Sequence, residues 1–532
     1  MKSIDILRPV SIRVETDQGW IEAGKSGDEW VGGGITIALS VADEGTKLTA
    51  ASDGAPLLAI AVRWETAFEE RMLAFGDAWE RGYGDLGWES LRGERSYHWY
   101  VLMDEKGTHS GLGVRTLTSA MVSWRLDACG AVMIADTSVG AVGVRLGKRT
   151  LDVCTIVVAQ NEQAPSAYAF ACDYMKRLTG PVKAPSQVIY GGNNWYYAYG
   201  ISSHDRILAD SEFIAEMASK AAVKPYMVID DGWQLTSGRG VCNGGPWIGN
   251  RDFPDMPGLA AEMKNRGVKP GIWVRPLLTS ENMPDGWIRG TAKHGRILDP
   301  TRPDVVEYVR ETMETLSKWG YELIKHDFST FDIFGLWGME RKNYRDFAGG
   351  AFADDSYTLA EQVVNLYQAI RRGAGDAAII GCNTIGHLCA GIFEISRTGD
   401  DTSGKCWERT RRMGPNTLAM RMPQHRTFFE CDADCVGITD QVDWKLNAQW
   451  LQLLANSGTP LFVSADGALL NAEQKSALRQ AFTVASQQLP VAEPLDWQSN
   501  FAPAKWQFGS ETMQFDWYEA PKSEYPSEVW WI

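Results

Sequence analysis

The sequence feature that most constrains the fold is a series of eight short apolar segments, each followed by a stretch long enough to contain a helix. The segments are 187–191, 225–231, 269–275, 321–327, 377–383, 392–397, 427–432 and 460–464. Continuous apolar runs are typical of strands buried on both faces of a parallel sheet. Because eight strand–helix units follow one another in roughly 290 residues, the pattern predicts an α/β fold of the TIM type, a (β/α)8 barrel.

The regions on either side of this series have a different pattern. Before residue 184, short alternating or apolar runs such as 34–40 and 57–62 lie between turns rich in Gly and Asp, which is typical of an all-β sandwich. After residue 488 the chain is rich in Pro and Trp and has only short alternating runs. We therefore predict an N-terminal β-sandwich over 1–184, the barrel over 185–488 and a short C-terminal β segment over 489–532.

Composition excludes several classes of protein. The 532 residues include 52 Lys and Arg and 67 Asp and Glu, which gives a net charge of −15. An acidic chain lacks the basic footprint of nucleic-acid binding, and it is a poor match for an anionic membrane. Nine scattered cysteines fit reduced thiols, and Asp5 and Arg8 interrupt the only apolar stretch near the N-terminus. We expect a cytoplasmic protein that binds neither nucleic acid nor a membrane.

Acidic residues follow several of the predicted strands. Asp230 and Asp231 follow the second strand, Asp327 ends the fourth, and Asp400 and Asp401 lie in the loop after the sixth. A single acid at a strand end can simply cap the next helix. In barrel enzymes, however, the active site forms at the C-terminal ends of the strands, so the acids together predict one site.

Carboxylates accompanied by Lys, Arg and Trp indicate sugar chemistry, because glycosidases use two carboxyl groups. We predict Asp327 as the nucleophile, since Lys325 shares its face of the strand and should keep it ionised. Asp401 is the predicted acid/base, four residues after Arg397, and spacing alone leaves Asp400 as an alternative. The sequence contains no G-x-S-x-G elbow, phosphate-binding loop or HExxH zinc helix.

Five motifs carry a resemblance to a known family. They are GNNW at 192–195, IDDGW at 229–233, GIW at 271–273, IKHD at 324–327 and RTGDDT at 397–402. In this order they resemble the clan D glycoside hydrolases, and most of all the family 36 α-galactosidases. The resemblance covers residues 186 to 466, and the family's N-terminal β-sandwich matches the prediction above.

The resemblance implies a role for each matching residue. Asp327 would be the nucleophile, and the R-x-x-x-D pattern selects Asp401 over Asp400 as the acid/base. The implied sugar contacts are Asp230 and Asp231 with the 4- and 6-hydroxyls, Lys325 with the 3- and 4-hydroxyls, Arg397 with the 2-hydroxyl, Trp195 and Trp273 as pocket walls, and Cys382 near the exocyclic end. Asp432 would support the site without touching the sugar.

The sequence also departs from the family. Arg275 ends the third strand where small or neutral residues are common, and His326 replaces an apolar or aromatic residue. Because neighbouring strand residues face opposite ways, we expect His326 to pack between the barrel and its helices. The segment 87–90, which contains Trp88, resembles a family loop that reaches the active site. These departures concern the substrate more than the mechanism.

The resemblance implies a retaining, exo-acting α-galactosidase that acts on small oligosaccharides and needs no metal or organic cofactor. Two alternatives share the fold: a transglycosylase of the raffinose-synthase kind and a hydrolase of α-N-acetylgalactosaminides. A third is a non-catalytic sugar-binding protein, which the presence of both Asp327 and Asp401 disfavours. The sequence leaves the oligomeric state open, a homo-oligomer included.

Overall fold

The computed structural model describes residues 4–68, 71–84, 86–91, 93–236, 242–292 and 295–518. The last fourteen residues of the predicted C-terminal segment, 519–532, therefore lie outside the described residues. Within the described ranges, no helix combines the length and the apolar character that crossing a membrane requires.

The N-terminal region forms a single antiparallel sheet of fourteen strands. They are β1 (Ser11–Thr16), β2 (Gly19–Glu22), β3 (Gly24–Ser26), β4 (Glu29–Gly32), β5 (Ile35–Ala42), β6 (Gly45–Ser52), β7 (Ala59–Glu65), β8 (Leu73–Asp77), β9 (Glu89–Ser90), β10 (Tyr97–Glu105), β11 (Thr108–Val114), β12 (Met121–Asp127), β13 (Gly130–Asp136) and β14 (Leu151–Asn161). The strands at the two ends of the sheet order, β2 and β3, are separated only by Ala23, so the sheet returns to its start.

We expected a sandwich of two sheets, and the structure instead joins all fourteen strands by hydrogen bonds. The physical reason lies in β10. This strand pairs with β12 through Tyr97 and His98, and with β8 through His98 and then from Val101 onward, with a β-bulge between His98 and Val101. A bulge bends a strand and increases its twist, so one strand can serve two parts of a sheet.

The region that follows contains a parallel sheet of nine strand segments. In chain order they are β15 (Tyr190–Asn193), β16 (Tyr226–Ile229), β17 (Lys269–Val274), β21 (Leu323–His326), β22 (Ala378–Gly381), β23 (Ile395–Arg397), β24 (Glu430–Asp432), β25 (Cys435–Gly437) and β26 (Leu461–Ser464). Their spatial order follows the chain, with β15 beside β26, and β24 and β25 at the two ends. Only Ala433 and Asp434 separate these two ends, so the chain itself links them, as expected for a barrel of eight strands.

Helices follow most strands of the parallel sheet. Their bounds are α1 (Ala167–Leu178), α2 (Trp195–Ala198), α3 (His204–Met217), α4 (Met256–Asn265), α5 (Pro303–Lys318), α6 (Ser329–Phe334), α7 (Leu359–Ala374), α8 (Gly386–Cys389), α9 (Trp407–Arg411), α10 (Thr417–Arg421), α11 (Trp444–Asn456) and α12 (Ala472–Ala485). Pro303 opens α5 at a position where its missing N–H costs nothing, and Thr358 and Glu361 form a capping box on α7. A π-helical turn, Arg412–Asn416, joins α9 to α10, and a 3-10 turn, Met422–Gln424, follows.

Two small antiparallel sheets complete the described part of the chain. One is formed by β18 (Leu278–Thr279), β19 (Ile288–Ala292) and β20 (Gly295–Leu298), and the other by β27 (Glu493–Pro494), β28 (Lys505–Phe508) and β29 (Glu511–Gln514). Trp497, between β27 and β28, packs against Trp88 and Phe75 at ring distances of 5.5 and 5.4 Å. The C-terminal sheet is thereby attached to the N-terminal sheet.

His326 packs behind the barrel, as predicted. Its ring lies 5.9 Å from that of Tyr367 on α7 and 5.6 Å from that of Phe393, both edge-on. Full burial among these rings disfavours the charged imidazolium and lowers the pKa of His326 to about 4. The residue therefore serves the core and points away from the strand-end acids.

Candidate active site

The predicted site residues lie at or just beyond the C-terminal ends of neighbouring strands. Asp230 and Asp231 follow β16, Trp273 lies in β17, Lys325 lies in β21 and Asp327 follows it. Cys382 follows β22, Arg397 ends β23 and Asp401 lies in the loop beyond it. Since parallel strands end at one edge of the sheet, these side chains converge there.

Asp230 accepts several hydrogen bonds from the residues around it at the strand ends. Its Oδ2 accepts hydrogen bonds from Lys325 Nζ and Asn193 Nδ2, both at 2.7 Å, and its Oδ1 accepts one from the backbone N–H of Asp231. Burial opposes the charge on Lys325, but the negative groups around it, Asp230 first and Asp327 among the others, together outweigh burial and hold the pKa of Lys325 well above its usual range. We expected Lys325 beside Asp327; the structure gives its direct ion pair to Asp230.

The Asp231 carboxylate has its own hydrogen-bond partner, just before a sharp turn of the chain at Gly232. Gly232 has φ of 125°, and a Cβ on it would lie 2.6 Å from the carbonyl oxygen of Gly200, so only glycine fits. Asp231 Oδ1 accepts a hydrogen bond from Gln234 Nε2 at 2.6 Å. Burial raises the pKa of Asp231 to about 6, and the nearby charge of Asp230 adds to the effect.

Asp327 is held by two N–H donors. The indole N–H of Trp273 donates to Oδ2 at 2.9 Å, and the backbone N–H of Phe328 donates to Oδ1 at 2.8 Å. Phe328 has φ of 64°, a left-handed conformation that turns the chain sharply after the strand. Trp273, expected as a pocket wall, is 1% exposed and fixes the Asp327 carboxylate through its N–H.

The two neighbouring acids in the loop after β23 differ in their partners. Asp400 is 2.7 Å from Arg81 Nη2 and also pairs with Arg409, so both of its oxygens are engaged. Asp401 lies 3.4 Å from Arg397 Nη2, and its side chain is 40% exposed. Burial acts against the ionised form of Asp401, but the charges of Arg81 and then Arg397 lower its pKa to about 2. Asp401 is thus the more accessible acid of the two.

Asp434 is a contributor that the sequence did not predict. Its Oδ1 lies 3.2 Å from Arg397 Nη1, while its Oδ2 accepts hydrogen bonds from the Thr402 N–H at 2.8 Å and from the Tyr196 hydroxyl. Asp434 has φ of 67°, unusual for a non-glycine residue, and sits in the break between β24 and β25. It therefore orients Arg397 and the loop that carries Asp401.

Cys382 and Asp432 lie close to the same arginine. The Cys382 sulfur accepts a hydrogen bond from Arg397 Nη1 at 3.4 Å, and burial raises the pKa of this thiol. The Asp434 N–H donates to Asp432 Oδ1 at 3.0 Å, and burial raises the pKa of Asp432 to about 6. Asp432 is thereby linked to the site through Asp434.

Arg81 reaches this network from the N-terminal sheet, and no motif in the sequence pointed to it. It lies in the loop between β8 and β9, is 8% exposed, and places Nη1 3.8 Å from both Asp401 Oδ1 and Cys382 Sγ. Trp88 of segment 87–90, which resembles a family loop that reaches the active site, is buried against Phe75 and Trp497. An earlier part of the same loop supplies the contact.

Trp195 stands at the mouth of the barrel on α2. It is half-buried, and its ring lies 5.4 Å from that of Tyr199, over which Lys405 Nζ sits at 4.1 Å. Its neighbour Asn194 accepts a hydrogen bond from the Asp230 N–H at 2.8 Å. Its function as a pocket wall stays a prediction.

Arg275 does not present a free charge. Its Nε and Nη2 bind both oxygens of Asp332 at 2.9 and 2.5 Å, its Nη1 donates to Asn243, and its guanidinium lies 4.2 Å from the ring centre of Phe328. Such a two-pronged pair neutralises both groups. Arg275 therefore supports the turn after Asp327.

The nine cysteines are free thiols. Over the described ranges, no group of three or more His, Cys, Asp or Glu residues is arranged to hold a metal ion.

Replacing Arg275 with Ala should destabilise the protein by about 3 to 5 kcal/mol, because fully buried Asp332 would keep an unpaired charge. The double variant Arg275→Met/Asp332→Leu removes both charges and should recover most of that loss. Urea unfolding of the two variants and the parent measures both effects. A stable Arg275→Ala protein with altered sugar binding would contradict this assignment and make Arg275 a ligand.

Comparison with known proteins agrees with this fold. No family model matches the chain. The α-galactosidase AgaA of Geobacillus stearothermophilus is 29% identical over 138 residues, which is 23% of this chain and 18% of that protein.

Solved structures match over most of the chain. The α-galactosidase TtGalA from Thermus thermophilus, in complex with p-nitrophenyl α-D-galactopyranoside, has a TM-score of 0.61 at 16% identity and covers 95% of this chain and 98% of its own. The family 36 enzymes AgaA and AgaB from Geobacillus stearothermophilus have TM-scores of 0.60 and 0.59 at 13% identity, each covering 90% of this chain and 75% of its own. In fold, the chain resembles the family 36 α-galactosidases.

Proposed function

We propose that this protein is a retaining, exo-acting α-galactosidase that removes terminal α-linked galactose from small oligosaccharides by double displacement. The observation that carries the proposal is the pair of carboxylates at the strand ends: Asp327, fixed by two N–H donors, and Asp401, the accessible acid of the neighbouring loop. Catalysis is assigned to the predicted barrel, 185–488, between the flanking regions 1–184 and 489–532.

In the first step, the Asp327 carboxylate attacks the anomeric carbon while Asp401 gives a proton to the departing oxygen. In the second step, Asp401 takes a proton from water, which then breaks the covalent bond to Asp327. Trp273 and Phe328 orient Asp327 through hydrogen bonds to different oxygens, which leaves one lone pair of each oxygen for attack. The geometry of the nucleophile supports this assignment.

Asp230, Asp231 and Lys325 are the proposed recognition groups for galactose. In the free site, Asp230 and Lys325 satisfy each other, and hydroxyl groups of a sugar would insert into this pair. Ionised acceptors and donors form stronger hydrogen bonds than neutral ones, so the pair favours a sugar with hydroxyls at the right positions. TtGalA has also been solved with stachyose, an oligosaccharide.

The contact between Cys382 and Arg397 restricts how the sugar can lie. C2 and the exocyclic carbon are on opposite sides of a pyranose ring, so two groups in contact at 3.4 Å face one side of the sugar more readily than its two ends. Arg397 also reaches Asp401, which faces the bond at C1, and C1 adjoins C2. We therefore keep Arg397 at the 2-hydroxyl and move Cys382 from the exocyclic end to that side.

A screen of 4-nitrophenyl α- and β-glycosides tests the substrate. We expect α-galactosides to be cleaved and α-glucosides to be disfavoured by about 10,000-fold, because an equatorial 4-hydroxyl leaves a buried carboxylate without its partner. Asp230→Ala should lose α-galactosidase activity with an unchanged circular dichroism spectrum. Comparable rates on α-glucosides and α-galactosides would refute this role of Asp230 and Asp231.

The leaving-group dependence of two variants separates the loop acids. Asp401→Ala should slow raffinose cleavage by about 100- to 10,000-fold but affect activated aryl galactosides far less, because a good leaving group needs little acid catalysis. Asp400→Ala, compared at its own pH optimum, should lack this difference. The reverse pattern would exchange the two assignments.

The stereochemistry of the first product tests the mechanism. Retention requires the Asp327 and Asp401 carboxyl groups to be about 5 to 5.5 Å apart in the complex, whereas inversion needs about 6.5 to 9.5 Å. Proton NMR during hydrolysis should show α-galactose before mutarotation. If β-galactose appears first, double displacement is excluded. Repeating the reaction with an acceptor sugar detects transglycosylation.

A further inference from the structure

The loop between β8 and β9 is hydrogen-bonded directly to the loop that carries Asp401. The Gly82 N–H donates to the carbonyl of Thr398 at 2.7 Å, and the Asp400 N–H donates to the carbonyl of Gly82 at 3.1 Å. A Cβ on Gly399, between these two contacts, would lie 1.8 Å from the Met413 carbonyl oxygen, so the close packing of the Asp401 loop on Met413 requires glycine. The N-terminal sheet is thereby attached one residue from Asp401.

Arg81 is held in this attachment by several contacts. Its Nη2 binds Asp400 at 2.7 Å, its Nε binds the Tyr83 hydroxyl at 3.4 Å, and its guanidinium lies 5.5 Å from the ring centre of Trp337. Its Nη1 is 3.8 Å from Asp401 Oδ1, which is beyond a hydrogen bond but well within electrostatic range. Arg81 thus acts on Asp401 by its charge.

We propose that Arg81 is a positioning residue that keeps the Asp401 carboxyl ionised in the free enzyme and so sets the pH range in which unactivated glycosides are cleaved. This inference rests on the proposed function, in which Asp401 is the acid/base. The groups that face Asp401 from the surrounding elements are Arg81, Arg397, Lys325, Arg409 and Tyr196, together with its neighbour Asp400.

The charge of Arg81 affects the two halves of the reaction in opposite ways. Before the first step Asp401 must hold the proton that passes to the leaving oxygen as the glycosidic bond breaks. In the second step it must be a carboxylate that removes a proton from water. Of the neighbouring charges, that of Arg81 lowers the pKa of Asp401 most. Arg81 therefore favours the second half and penalises the first for poor leaving groups.

The test is the pH dependence of kcat/KM for raffinose and for an activated aryl α-galactoside. Above the pKa of Asp401, raffinose cleavage falls with rising pH because the proton donor is lost. Arg81→Gln should move this descending limb upward by about 1 to 3 pH units, the range over which a neighbouring cation shifts a carboxyl. Arg81→Lys keeps the charge and should stay near the parent, and the aryl substrate should respond little.

Arg412→Gln is the matched control. Arg412 donates to the carbonyls of Gly84 and Tyr83 in the same loop, so its loss tests docking of the loop without removing the charge beside Asp401. Asp400→Asn supplies a shift in the opposite direction. It removes a negative charge next to Asp401 and leaves Arg81 with one acidic partner fewer, so the limb should move to lower pH.

An unchanged limb in folded Arg81→Gln overturns the proposal, as does an equal shift in Arg412→Gln. If Arg81→Gln does not fold, the pH dependence of raffinose cleavage by Asp400→Asn is the test. A descending limb that does not move in this variant overturns the proposal. The proposed function fails separately: Asp401→Ala would then alter raffinose and aryl galactoside cleavage equally. Asp401→Ala could show the expected leaving-group effect while the descending limb of Arg81→Gln stays in place. That result would refute the role of Arg81 and leave the proposed function intact.

Discussion

The site depends on an alternating chain of charges that crosses four parts of the fold. In order its members are Arg409, Asp400, Arg81, Asp401, Arg397 and Asp434. A buried charge that loses its partner costs several kcal/mol, whereas one flanked by opposite charges is tolerated. Each internal member of the chain has a neighbour of opposite sign on both sides. This requirement fixes the N-terminal loop, the end of β23, α9 and the break between β24 and β25 relative to one another.

The same requirement explains why the N-terminal sheet is needed beside the barrel. Arg421 on α10 donates to Asp77 at the end of β8 and to the carbonyl of Glu80, so the loop is also anchored to α10 just before Arg81. Trp99 of the N-terminal sheet stacks on His387 of α8 at a ring distance of 5.6 Å, which adds an aromatic contact between the sheet and the barrel. Polar and aromatic contacts together hold Arg81 at its position.

Much of the barrel could be predicted from the sequence because its signals are local. Seven of the eight apolar segments contain a strand and the first overlaps one, and the acids that follow Ile229 and His326 stand at the strand ends. The contacts that could not be predicted join distant parts of the chain. Arg81 and Cys382 are 301 positions apart, and Arg275 finds Asp332 57 positions on. No periodicity or spacing encodes such pairs, since they exist only once the strands are arranged.

Asp434 shows a different limit of sequence analysis. Its neighbour Asp432 continues the strand, and nothing in the residue types marks the left-handed turn that follows. The turn lets Asp434 bind Arg397 and Thr402 at once, which a regular strand would not allow because alternate side chains face alternate sides. The sheet is interrupted there, and the interruption supplies a carboxylate that the buried arginine needs.

The exposure of Asp401 determines how the chain of charges can still permit the acid catalysis proposed for this residue. The side chain is 40% exposed in the free site, so some water still reaches it, and the charges of Arg81 and Arg397 outweigh the burial that remains and stabilise its ionised form. A sugar bound over Asp401 would displace that water, and desolvation raises the pKa of a carboxyl. Substrate binding and proton uptake are then coupled, because the group gains its proton most readily when the sugar covers it. In the proposed mechanism the arginines would suppress the protonated acid in the empty site, and the bound substrate would restore it.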